Sequence, residues 1–119
     1  MPSELFKLEK QGDIAVITLA PGDMFHEEND RLMKSFDDLM NKGTKKFVLD
    51  LTDTNYISSL IVASMVYIHK RAQDAGGAMV FCNIKNRVKE ILGMTNLDKV
   101  FQIAGNREEA LNVFKKKSK

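Results

Sequence analysis

Read by the spacing of its apolar residues, the chain breaks into short extended runs alternating with stretches of helical period. Phe6 to Lys10 and Ile14 to Leu19 predict two strands, turned at Gln11-Gly12-Asp13. Pro21-Gly22 ends the second. Leu32, Met33, Phe36, Leu39 and Met40 then recur on one helical stripe, with Gly43 as the stop. Phe47 to Leu51 predicts a third strand and Ala78 to Cys82 a fourth. Between them a long helix follows Ser58 and is closed by Gly76-Gly77. A shorter helix carries Val88, Ile91 and Leu92, and a brief strand from Val100 to Ile103 precedes a last helix. Asn106 caps that helix with Glu109 three residues on, a capping-box spacing, and Ala110, Leu111 and Phe114 form its buried face. The order β-β-α-β-α-β-α-β-α predicts an α/β domain with a mixed, mostly parallel sheet and helices packed on it. The third and fourth strands are apolar on both faces, as covered strands are.

The stretch from Lys45 to Gly77 carries the most chemistry. The strand KKFVLDL runs through the polar turn TDTNY to Ile57-Ser58-Ser59 and into the long helix. That places hydroxyls where strand becomes helix, among free N–H groups and a partial positive charge that favour a phosphate. Ile61, Met65, Ile68, Ala72 and Ala75 form one stripe, directed at the sheet. Ser59 points roughly the other way, and Val62, Ala63 and Val66 share its side. Apolar surface beside a hydroxyl fits either a covered helix or a partner-binding patch. In a patch, a phosphate on Ser59 adds about two negative charges to an apolar contact and breaks it by desolvation. Ser58 suits the helix N-cap.

Composition adds limits. With 119 residues the chain makes one domain, read as residues 1–114, followed by a lysine-rich tail at 115–119 expected to fray. The formal charge of +2 comes from that tail: KKKSK holds four lysines, leaving 14 basic against 16 acidic residues. A near-neutral body offers no basic face for nucleic acid. The lone Cys82 sits in the apolar run MVFC, reads as a buried strand thiol and suits a reducing cytoplasm. PSELFKLEK is too charged for a signal peptide, and the run Leu60 to Ile68 is too short to span a bilayer, so a membrane is not expected.

Enzyme chemistry finds little support. A hydrolase elbow needs glycines on both sides of its serine, and none flank Ser58-Ser59. The available bases are His26 and His69, and His69 lies roughly 15 Å along the helix from Ser59 at its usual rise. Metal ligation by His26, Glu27 and Glu28 competes with a simpler role for acids in a first helical turn. The pairs Asp37-Asp38 and Glu108-Glu109 sit on helices, where neighbours point about 100° apart and do not converge. A small serine hydrolase is the third reading; no enzyme activity is expected.

FVLDLTDTNYISSL, followed by an apolar helix, Gly76-Gly77 and a strand, resembles the STAS domain of bacterial anti-sigma factor antagonists. NIKNRVKEILGMTNLDKVFQI is similar to that family's strand, third helix and closing strand, with Leu92, Gly93 and Leu97 to Phe101 in its pattern. DMFHEENDRLMKSF resembles its loop and first helix. The family motif is a hydrophobic pair, Asp or Ser, the phosphorylated Ser, a small residue and Gly. Tyr56-Ile57 matches the pair, Ser58 the Asp/Ser position and Ser59 the phosphorylation position, while Leu60 and Ile61 replace the small residue and the glycine.

The resemblance implies a switch in which the unphosphorylated chain binds an anti-sigma factor that is a serine kinase, freeing the sigma factor. Phosphorylation of Ser59, with Ser58 as second choice, ends binding, and a phosphatase resets it. ATP and magnesium belong to the kinase, so no cofactor is expected. The implied interface comprises Asp23, Met24, Ser58, Leu60, Val62, Ala63, Val66, Asn83 and Lys85. The alternative is a STAS-like scaffold or ligand-sensing module that is never phosphorylated.

Overall fold

In a computed structural model, which describes residues 6–19, 26–54 and 57–117, one five-stranded sheet carries helices on both faces. The strands are β1 (Phe6–Gln11), β2 (Ile14–Leu19), β3 (Lys46–Asp50), β4 (Ala78–Cys82) and β5 (Gln102–Ala104), in that spatial order. The helices are α1 (His26–Asn41), α2 (Ser59–Asp74), α3 (Asn86–Met94) and α4 (Arg107–Lys117). β1 and β2 form an antiparallel hairpin, and β2 to β5 run parallel. Order and class agree with the expectation from periodicity.

Alternation along the strands divides the core in two. Ile17, Phe47, Leu49, Met79 and Phe81 face α1, α2 and α3, meeting Leu32, Phe36, Met65, Ile68, Val88 and Leu92. Ile14, Val16, Val48, Val80 and Cys82 face α4, meeting Ala110 and Phe114. This is why β3 and β4 read as continuous apolar runs.

Several boundaries differ from the expectation. β1 takes in Gln11, expected in the turn, and β3 is shifted by one residue, starting at Lys46 and leaving Leu51 outside the strand. Val100 is outside the closing strand, because Leu97–Lys99 forms a single 3-10 turn; the strand begins at Gln102 and Val100 is exposed. Ala75 leaves the buried stripe of α2 as its exposed C-cap, and Ser64 and His69 are buried instead. The last helix runs to Lys117, within the lysine-rich segment 115–119. Asn106 does cap α4, its Oδ1 accepting from Glu109 N at 2.9 Å. The Glu109 carboxylate, however, accepts from Gly105 N, one residue before the cap.

Candidate phosphoacceptor site

The parallel strands β3 and β4 end on the same side of the sheet, and the connections from each lead into the N-termini of α2 and α3. The β3 connection starts as a turn, with Thr54 N donating to Leu51 O and Leu51 N donating to Cys82 O. It ends at Ile57, which is buried, and Ser58, whose extended backbone marks the N-cap of α2.

The two serines have different surroundings. Ser58 Oγ accepts from Ile61 N at 3.3 Å, the bond that makes a serine cap stabilising. Ser59 is the first helical residue and is exposed. The first turn of α2 holds no acidic residue, so the positive end of the helix dipole is not offset there. Ile61, at the position of the family glycine, is buried among the residues between sheet and helices. Its bulk is therefore in the core and not on the surface beside Ser59.

The side of α2 shared with Ser59 is open. Ala63 is exposed, Val66 is 38% exposed, and Leu60 and Val62 are half-buried, Val62 resting on the core. Tyr67, 41% exposed, continues this surface; the expectation did not include it. Its hydroxyl accepts from Arg71 Nη1 at 2.8 Å, and Arg71 also pairs with Asp37 of α1 at 2.9 Å. The hydrogen bond to Tyr67, with the nearby Asp37, holds the Arg71 guanidinium even more firmly protonated than usual. The i,i+4 spacing of Ala63, Tyr67 and Arg71 was the available signal.

Asn83 and Lys85 lie at the end of β4, on the same side of the sheet as the serines. Lys85 is exposed at the N-cap position of α3. Asn83 is half-buried in a left-handed conformation (φ 56°), and its amide donates to Asp50 Oδ1 at 3.0 Å. Asp23, Met24 and Tyr56 lie outside the described residues.

Asp50, the last residue of β3, is buried at the centre of a polar cluster on the α4 face. Its Oδ1 accepts from Thr52 N at 2.9 Å as well as from Asn83. Its Oδ2 accepts from Arg107 Nε at 3.2 Å and Nη2 at 3.1 Å. Arg107 also donates to Thr18 Oγ1 at 3.0 Å and pairs with Glu9 at 3.3 Å. Burial pushes the Asp50 carboxyl up, but hydrogen bonds from Asn83, Thr52 and Arg107 outweigh it and hold it below the ordinary aspartate value. The neighbouring Cys82 thiol is pushed up to about 12, by burial first and then by Asp50. This buries the thiol in its protonated, unreactive form. The lone acid in the apolar run FVLDL was the sequence signal for this cluster.

His69 is buried on α2, its ring edge-on to Phe101 at 5.4 Å, and Phe101 stacks on Phe81 at 4.5 Å. Its Nδ1 has no hydrogen-bond partner among the described residues, and burial lowers its pKa. It is packed in the core, nearly three turns beyond Ser59.

Comparison with known proteins gives a consistent picture. A family model described as the STAS domain matches residues 6–110. A protein of Thermotoga neapolitana named as a candidate anti-sigma factor antagonist is 35% identical over 98 residues, covering 81% of this chain and 87% of that protein. The crystal structure of a candidate anti-sigma factor antagonist from Thermotoga maritima superposes with a TM-score of 0.83 at 26% identity, over 92% of this chain and 93% of the other. The Bacillus cell-fate determinant SpoIIAA, solved in its phosphorylated form, is similar in fold alone, with a TM-score of 0.72 at 16% identity over 92% of this chain and 98% of that one.

Proposed function

Because the chain belongs to the STAS domain family of anti-sigma factor antagonists, we propose that it acts by reversible binding to an anti-sigma factor that is a serine kinase, with Ser59 as the switch. The observation that carries this reading is the division of labour between adjacent serines. Ser58 is occupied as a cap, while Ser59 is exposed at an uncompensated helix N-terminus beside apolar surface. In the unphosphorylated state, Leu60, Val62, Ala63 and Val66 lie against the anti-sigma factor, with Asn83 and Lys85 at the margin, and the sigma factor is free.

The kinase supplies ATP and magnesium. Ser59 Oγ attacks the γ-phosphorus, the new Oγ–P bond forms as the bond to ADP breaks, and the hydroxyl proton goes to the kinase's base. The phosphate is held by the N–H groups of the first turn. Its charge of about −2 makes reburial of the apolar contact unfavourable. Hydrolysis of the Oγ–P bond by a phosphatase restores the hydroxyl. These events belong to the cytoplasm, where sigma factors act, and need no cofactor on this chain.

The test is intact mass after incubation with anti-sigma kinases of the source organism and ATP. Wild type and Ser58→Ala gain about 80 Da, the mass of one phosphoryl group, and Ser59→Ala gains nothing. A phosphate retained by Ser59→Ala, or none on wild type with any such kinase, overturns the assignment.

A further inference from the structure

We infer that Arg107, on the face of the sheet opposite α2, is a positioning residue for the Ser58–Ser59 turn and acts through the Asp50 carboxylate. The inference rests on the serine reading for its kinetic consequence but not for its structural one. Arg107 touches neither serine. Its guanidinium is anchored to three strands at once, by Glu9 on β1, Thr18 on β2 and Asp50 on β3. Two of its nitrogens converge on one oxygen, Asp50 Oδ2. Fixing that oxygen fixes the plane of the carboxylate, and so aims Oδ1 at Thr52 N, the first amide after the buried Leu51. The same Oδ1 holds Asn83 in its left-handed conformation at the end of β4. One buried carboxylate therefore sets the direction in which both connections leave the sheet.

Stability alone is a poor reason for this arrangement. Asp50 is buried while Arg107 stays one-third exposed, and a pair that buries a charge is commonly matched or bettered by apolar residues of the same volume; the surrounding positions Val16, Val48 and Val80 are apolar. What an apolar pair lacks is direction. The connection from Thr52 to Ser58 is only seven residues long, and its far end is pinned by buried Ile57 and the Ser58 cap. A change in its take-off angle must be absorbed within that length. When Arg107 is removed, the carboxylate rotates, Thr52 N is released, and the turn spends part of its time away from the binding geometry. The apparent affinity for the kinase then falls by the fraction of time lost.

The experiment compares wild type with Arg107→Met, Arg107→Lys and Val80→Ala. The last loosens the same face of the core without touching the carboxylate. Expected for Arg107→Met is faster amide exchange at Thr52 by roughly tenfold, a shifted Ile61 amide, and a KM for the anti-sigma kinase raised roughly fivefold with kcat unchanged. Arg107→Lys restores part of each effect, and Val80→Ala reproduces none. The proposal is overturned if the Thr52 and Ile61 amides of Arg107→Met match wild type, or if Val80→Ala raises KM as much. If no kinase phosphorylates wild type, the serine reading falls, while the exchange measurement still decides whether Arg107 positions the turn.

Discussion

At the scale of single residues, the informative contrast is between Ser58 and Ser59. Sequence places both at a strand-to-helix junction, where either could cap or switch. The backbone separates them: an extended N-cap residue can turn its hydroxyl back to Ile61 N, whereas the first helical residue directs its side chain outward. The prediction follows in stability, independent of any kinase. Ser58→Ala leaves Ile61 N without its side-chain acceptor and costs about 1 kcal/mol. Ser59→Ala, at an exposed position, stays within about 0.5 kcal/mol of wild type. Urea unfolding checks both; equal losses from the two substitutions would mean the hydroxyls share the cap. Ile61 shows how a single-residue departure is resolved by burial. The large side chain at the position that the resemblance sets against a family glycine is buried, while Ser59, two residues before it, is exposed.

At the scale of elements, what was legible depended on whether the signal was local. The stripes of α1 and α2, the doubly apolar β3 and β4 and the Asn106 cap all follow from spacing, because each is decided within a few residues. For the Asp50 cluster the local signal, a lone acid in an apolar strand, marks Asp50 alone; its partners were not legible, since they come from β1, β2 and α4 and lie up to 98 positions apart. Burial of His69 and exposure of Ala75 are equally non-local, because the neighbours of α2 decide them. The shift of β5 arises because the preceding turn tightens into a 3-10 turn, for which the apolar pattern gives no cue. The junction of α2 and β4 yields a prediction at this scale. Gly76 has φ 87° and completes the helix end, but Gly77 is the more constrained of the pair. A Cβ on Gly77 would sit 1.9 Å from Lys45 O, the carbonyl that accepts from Ala78 N to start the β3–β4 ladder. Backbone must move to admit it, so Gly77→Ala is expected to cost about 3 kcal/mol or more, against about 1 for Gly76→Ala. Thermal unfolding of the two variants ranks them, and a Gly77→Ala protein as stable as Gly76→Ala would contradict the close approach.

At the scale of the whole molecule, two buried titratable groups among the described residues make stability fall on the acid side of neutral, and they act in separate windows. His69 is neutral in the core, and burial lowers its folded pKa below 6.5. The unfolded chain therefore binds the proton first, and stability falls as pH drops below that value toward the folded pKa. Asp50 is held below 3.8 in the folded state, where its hydrogen bonds outweigh the cost of burial. Its contribution is complete above that value and is lost as pH falls through the folded pKa, when protonation removes the charge that Arg107, Asn83 and Thr52 address. The stability curve should thus descend in two limbs. The two can be separated genetically, because the groups occupy opposite faces of the sheet: His69 packs with Phe101 under α2, and Asp50 lies under α4. His69→Gln is expected to flatten the limb below about pH 6.5 and leave the acid limb in place. Arg107→Met, by removing a donor from Asp50, is expected to move the acid limb to higher pH and leave the histidine limb unchanged. Urea midpoints measured from neutral pH down to the acid transition read both limbs in one series. A His69→Gln protein that still loses stability between neutral pH and about pH 5 would move that limb to another group and remove His69 from the account.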